Sequence, residues 1–205
     1  LHHDDISSLG YGEWLVVDPL DGSNNYALSL PGYGYMAAHM IDGIIDGSAI
    51  VLPEHDLYFV FDSGEMIISQ PFESYQSSKS GSVYYAYPPK LFGTTLHSRM
   101  QLIELIDEYS SGLYRYGSAC VGLYNMIRGR HKSFIAHRVR IWDVIAYFPI
   151  LKHFIISFKY HINSSGVILI ASNDNEFLFE ACSIISYNEG VIFNSFLPNQ
   201  GLVFT

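Results

Sequence analysis

The sequence predicts an α+β chain, and three observations carry that reading. An apolar run at residues 14–17 stops at an acid, which is the pattern of a buried strand ending in a carboxylate. Across residues 31–69, short β-rich runs alternate with turn dipeptides, as in an antiparallel meander. Beyond residue 97 the period becomes helical, with Met100, Ile103, Ile106 and Tyr109 on one face and Gly112 as the stop.

The first strand runs into Asp18, and Pro19 then fixes the backbone. Asp21 supplies a second carboxylate, and Gly22-Ser23 opens a turn into a helix. Two carboxylates held this closely repel each other unless a cation lies between them. Backbone N–H groups just past a glycine, where a helix starts, suit a phosphate oxygen. The local chemistry is therefore a hard metal with a phosphate. A calcium loop wants acids at alternate positions before its glycine, whereas Asp18 and Asp21 are three apart. No Asp-x-Asp and no G-x-x-x-x-G-K-[ST] occurs, and Gly32-Tyr33-Gly34 lacks the later glycine of a dinucleotide loop.

In the meander, Asp42-Gly43, Asp46-Gly47, Pro53-Glu54 and Ser63-Gly64 separate strands expected at 48–52, 57–61 and 66–68. Segment 73–82, rich in serine, reads as a loop or hinge. It divides a lobe carrying the acid motif (1–82) from a second α/β lobe (83–205). A helix is expected over 97–111, then the run Tyr114-Arg115-Tyr116-Gly117-Ser118-Ala119 and a helical stretch to Gly129. Residues 142–151 are expected as a helix with Asp143 near its N-terminal end. A strand follows at 167–171, then a last helix at 174–185.

The 205 residues are 49% hydrophobic and 15% charged, the balance of a globular chain with a real core. A net charge of −9 with no basic stripe argues against nucleic acid as a partner. It also means that metals must reverse the local field around an anionic substrate. Cys120 and Cys182 sit in helical or apolar surroundings and read as buried thiols, which suits a reducing cytoplasm. The apolar stretch 145–158 is broken by Pro149, Lys152 and His153 and is too short to span a bilayer, and no signal peptide is visible. No membrane partner is therefore expected. The chain opens on Leu1, not Met, and reads as truncated.

Asp18-Pro19-Leu20-Asp21-Gly22-Ser23-x-Asn25-Tyr26 resembles the metal-binding signature of the inositol monophosphatase superfamily, D-P-[IL]-D-G-[TS]-x-N-[FY]. Trp142-Asp143-Val144-Ile145-Ala146 resembles the second signature, W-D-x-A or its variants, about 120 residues further on. A capped turn between strand and helix would explain the first motif alone and leave Asp143 unexplained. The resemblance implies the layered αβαβα sugar-phosphatase fold, here without its two N-terminal helices. It also implies a Mg²⁺-dependent phosphomonoesterase acting on a sugar phosphate by metal-activated water. Two or three ions are implied, with Mn²⁺ as a substitute, and a homodimer.

On the same resemblance, Asp18, Asp21 and Asp143 are metal ligands, and Leu20 lends its carbonyl. Gly22 and Ser23 offer N–H groups to the phosphate, and the Ser23 hydroxyl orients the attacking water. Family members hold and deprotonate that water with a Glu-Glu pair, for which Asp4 and Asp5 are the candidates here. His2 and His3 read as terminal residues. The Gly117-Ser118-Ala119 turn lies near the substrate. Inositol-specific relatives carry a Glu where this chain has Ala136, which His137, Arg138 and Arg140 follow. Losing an acid and gaining two cations favours a second phosphate, with Arg115 and Lys132 as further candidates. On this basis the chain is similar to archaeal-type members that hydrolyse fructose 1,6-bisphosphate as well as inositol 1-phosphate. The rivals are a strict inositol monophosphatase, a nucleotide-bisphosphate 3′-phosphatase, and a catalytically inactive relative that binds sugar phosphate. Arg138 and Arg140 could equally be surface charges on one face of a strand.

Overall fold

The computed structural model describes residues 8–71, 81–87, 94–197 and 200–204. Strand β1 (Glu13–Asp21) leads through a short helix α1 (Ser23–Ala27) into β2 (Gly34–Ile41), β3 (Ile44–Leu52), β4 (Leu57–Asp62) and β5 (Glu65–Ile68). These five strands form one antiparallel sheet in sequence order. Asp42-Gly43, Pro53-Glu54 and Ser63-Gly64 lie where the chain reverses, but Asp46-Gly47, expected to separate strands, lies within β3 at an irregularity in its pairing with β2.

A second sheet has the order β7-β6-β8-β10-β9. Its strands are β6 (Ser82–Ala86), β7 (Leu113–Tyr114), β8 (His131–Val139), β9 (Ser157–Asn163) and β10 (Gly166–Ser172). β6 runs parallel to both β7 and β8, whereas β10 is antiparallel to β8 and β9. Helix α2 (Thr94–Tyr109) connects β6 to β7, and α3 (Ala119–Ile127) connects β7 to β8. Helix α4 (Tyr147–His153) precedes β9, and α5 (Asn175–Glu189) follows β10.

Four layers result. The inner face of the first sheet (Val16, Met36, Ala38, Ile50, Phe59) packs on α3 and α4, which lie against one face of the second sheet. All nine residues of α3 are buried because a sheet covers it on each side, so its sequence is apolar nearly all round. The far face of the second sheet, with Ile135, Ile168 and Ile170, packs on Leu102 and Ile106 of α2 and Phe177 and Ile185 of α5. The outer face of the first sheet is apolar too and exposes Leu15, Val17, Tyr35, Val51, Tyr58 and Ile67.

Three expectations are corrected. The helix expected over 97–111 begins earlier and ends at Tyr109. The stretch expected to run to Gly129 ends at Ile127, and Gly129 turns the chain at φ 70°. Residues 142–151 are not one helix: a 3-10 turn (Ile141–Asp143) carries the acid, and α4 starts only at Tyr147. Pro149 has no N–H to bond the Ile145 carbonyl, so it sits in the first turn of a helix rather than in the interior of one. The expected hinge lies outside the described residues at 73–80, and β6 begins at Ser82. Among the described residues no helix is long and apolar enough to cross a membrane.

Candidate active site

The two acids of β1 share a face because the strand is irregular between them. Asp18 pairs with Met36 and Asp21 with Gly34, so β1 carries one residue more than β2 over this stretch. In a regular strand, residues three apart point to opposite faces. The bulge at Pro19-Leu20 turns both acids inward, leaving 8% of Asp18 and 9% of Asp21 exposed. Gly22 follows at φ 81°, where a Cβ would come within 2.5 Å of the Gly32 carbonyl oxygen. Asn25 Nδ2 then donates to the Gly32 and Tyr116 carbonyls, each at 2.7 Å, and ties the motif to the turn before α3.

That turn holds Asp21. The Ser118 hydroxyl and the Cys120 N–H both donate to Asp21 Oδ2 at 2.6 Å. The turn is itself fixed from behind, since the hydroxyls of Tyr84 and Tyr147 donate to the Ser118 and Cys120 carbonyls at 2.8 Å. Asp18 Oδ1 accepts the Leu20 N–H at 3.1 Å, and Asp143 Oδ2 accepts the Arg140 N–H at 3.0 Å.

Burial governs the charges of these acids. It pushes the Asp21 carboxyl up to about 6 against its donors Ser118 and Cys120, with the charge of Asp18 adding to the rise. It lifts Asp143 to about 7, helped by the charges of Asp21 and Asp18 and opposed by the Arg140 N–H. Asp18 is raised by burial too, against the Leu20 N–H and the Arg140 charge. Three carboxylates that resist ionisation together form a site that gains from a cation.

Asp18, Leu20, Asp21, Gly22, Ser23 and Asp143 line one cleft of about 920 Å³. Gly117, Ser118 and Ala119 line it from the facing turn, and Arg115, Arg138 and Arg140 from the rim. The structure thus brings together the site residues expected from the sequence except Lys132, which does not line the cleft, and Asp4 and Asp5, which lie outside the described residues.

Arg138, expected to bind substrate, lines the cleft but is also paired within the fold. Its Nε and Nη2 reach Glu189 Oε2 at 3.0 and 2.8 Å, and its Nη1 reaches Asn163 at 3.1 Å. Arg138 is the extra residue of a bulge in β8, at φ 60°, and its charge is matched there. Lys132 is likewise paired, with Asp174 at 3.1 Å. Sequence reasoning missed the grip of Ser118 on Asp21 and the Glu189 partner; neither has a local signal.

The donor chemistry suits Mg²⁺, which prefers carboxylate and carbonyl oxygen and keeps several waters. Among the described residues no three His, Cys, Asp or Glu side chains close into a metal cluster by themselves. An ion that retains water does not require such a cage, so the three acids fit it as an open site.

A family model for the inositol monophosphatase family matches residues 6–154. A comparison with curated proteins gives no match. Among solved structures, inositol monophosphatase II from Staphylococcus aureus is 20% identical with a TM-score of 0.66, over 91% of this chain and 76% of that one. SuhB from Bartonella henselae is 19% identical with a TM-score of 0.67, over 88% and 72%. The inositol monophosphatase of Anabaena is 22% identical with a TM-score of 0.64, over 88% and 76%. Both motifs that the fold draws into the cleft fall within the matched span, and the chain belongs to the inositol monophosphatase family, a family of phosphoric monoester hydrolases.

Proposed function

We propose that this chain is a Mg²⁺-dependent phosphomonoesterase that hydrolyses a sugar phosphate, fructose 1,6-bisphosphate and/or inositol 1-phosphate. The observation that carries the reading is the convergence of Asp18, Asp21 and Asp143 on one cleft, each resisting ionisation through burial. The S. aureus relative, whose crystal structure is described as bound to inositol monophosphate, supports the substrate class.

Asp18, Asp21, Asp143 and the Leu20 carbonyl are the donors that would hold two or three ions, with Mn²⁺ able to replace Mg²⁺. Bound Mg²⁺ would supply a more acidic water and stabilise the leaving oxygen. The chain does the rest. Ser118 and the Cys120 N–H fix the orientation of Asp21 before substrate arrives. The Gly22 and Ser23 N–H groups, at the start of α1, face the phosphate, and the Ser23 hydroxyl orients the water. Asp4 and Asp5 are proposed to take the proton. Arg140 offsets the charge of Asp18 and Asp143. A cytoplasmic homodimer with lobes 1–82 and 83–205 belongs to the same reading.

The test is phosphate release from both esters with Mg²⁺ and after chelation. Turnover that needs the metal supports the reading; turnover that survives chelation overturns it. A second reading, hydrolysis of a nucleotide phosphate, draws on the S. aureus relative described as bound to 2′-AMP. It requires faster turnover of that nucleotide than of either sugar ester.

A further inference from the structure

The cations at the cleft are not equivalent. Arg138 spends its charge on Glu189, and Arg140 lies beside the motif acids. Arg115 has no carboxylate within ion-pair distance among the described residues, yet it lines the cleft.

It is also held in place. Its Nη2 donates to the Tyr87 carbonyl at 2.8 Å, and its guanidinium carbon lies 4.0 Å from the centre of the Tyr87 ring. Arg99, from α2, lies 3.9 Å from the same ring centre and donates to the Tyr87 hydroxyl at 2.7 Å. The two guanidinium carbons are thus within about 8 Å of each other. Neither has a carboxylate partner among the described residues. Two like charges fixed around one ring cost energy that an anion beside Arg115 in the cleft would offset. Tyr84, which also lines the cleft, lies within electrostatic reach of both Asp21 and Arg115. At about 920 Å³ the cleft is near the upper end of small-molecule sites, roughly 300–1,000 Å³, and has room for a second charged group.

We infer that Arg115, braced on Tyr87 with Arg99 on the same ring, anchors a second anionic group of the substrate, so that the preferred substrate is a sugar bisphosphate. The inference rests on the phosphomonoesterase reading and assigns its specificity. A planar guanidinium offers a phosphate paired hydrogen bonds that an ammonium cannot reproduce.

The experiment compares wild type, Arg115→Met and Arg115→Lys on fructose 1,6-bisphosphate and inositol 1-phosphate with Mg²⁺. In Arg115→Met the KM for the bisphosphate should rise about tenfold more than the KM for inositol phosphate, with Arg115→Lys between. Equal changes for the two esters, no change for the bisphosphate, or wild-type turnover of inositol phosphate alone would overturn the inference. Titration calorimetry with fructose 1,6-bisphosphate reads the anchor without turnover. Binding about tenfold weaker in Arg115→Met supports it, and equal affinity overturns it. If neither ester is hydrolysed while that binding difference persists, the phosphatase reading fails and the anchor stands.

Discussion

The Ser118 hydroxyl donates to Asp21 Oδ2 at 2.6 Å and accepts the Val121 N–H at 3.2 Å. One side chain thus caps α3 and aims a carboxylate 97 residues earlier in the chain. Ser118→Ala should cost about 1 kcal/mol for the cap and roughly another 1–3 for the charged hydrogen bond. Thermal melts check the stability, and activity should need more Mg²⁺ because Asp21 loses its orientation. Ser118→Thr keeps the hydroxyl and should restore most of both.

Asp143 and Asp21 set stability against function. Their carboxyls sit at about 7 and about 6 in the fold, above the ordinary 3.8. Stability is therefore full below about 3.8 and is lost as pH rises through 6 and 7. At pH near 8 without metal, Asp143→Asn should melt higher than wild type, by about 2–4 °C for each kcal/mol relieved. The same variant should lose roughly a thousandfold in activity. Added Mg²⁺ should raise the Tm of wild type and do so less in the variant.

Glu189 titrates in the opposite sense. Burial alone would raise its carboxyl, but hydrogen bonds from His137, Ser98 and Arg138 hold it down at about 2, from an ordinary 4.5. Its contribution to stability is present above about 4.5 and is lost as pH falls toward 2. Glu189→Gln should be less stable than wild type at neutral pH, and the gap should close as pH drops through that window. Denaturant melts at a series of pH values read this directly.

Gly122 in α3 faces the ring of Tyr84, and an added Cβ would lie 2.5 Å from Tyr84 Cδ1. That ring cannot withdraw, since it is buried and stacked on Phe134 at 5.2 Å and 7°. Gly122→Ala should therefore destabilise by about 1–3 kcal/mol through overpacking, which a thermal melt measures as a Tm several degrees lower.

The meander, the acid motif and α5 were legible because their signals are local. Asp42-Gly43 and Ser63-Gly64 mark hairpins, and Asp174 caps α5, although the helix runs past the expected end at 185 to Glu189 before Gly190 ends it at φ 67°. The break between Asp143 and α4 was readable in principle from Pro149, but the apolar run around it masked the stop. Pairings between distant segments were not readable. Arg138 looks in sequence like a free cation beside Arg140, and only the fold brings Glu189 to it from 51 residues away. The bulge that puts Asp18 and Asp21 on one face arises from pairing with β2, so spacing alone could not reveal it.

The most direct measurement is phosphate release with Mg²⁺ from fructose 1,6-bisphosphate and inositol 1-phosphate, with wild type beside Asp18→Asn. Asp18 is buried in β1, three residues before its end, within the acid cluster. The expected result is turnover of the bisphosphate by wild type, reduced roughly a thousandfold or more in the variant. Equal turnover by both proteins, or none by a folded wild type, would contradict the assignment of this cleft as a metal-assisted phosphatase site.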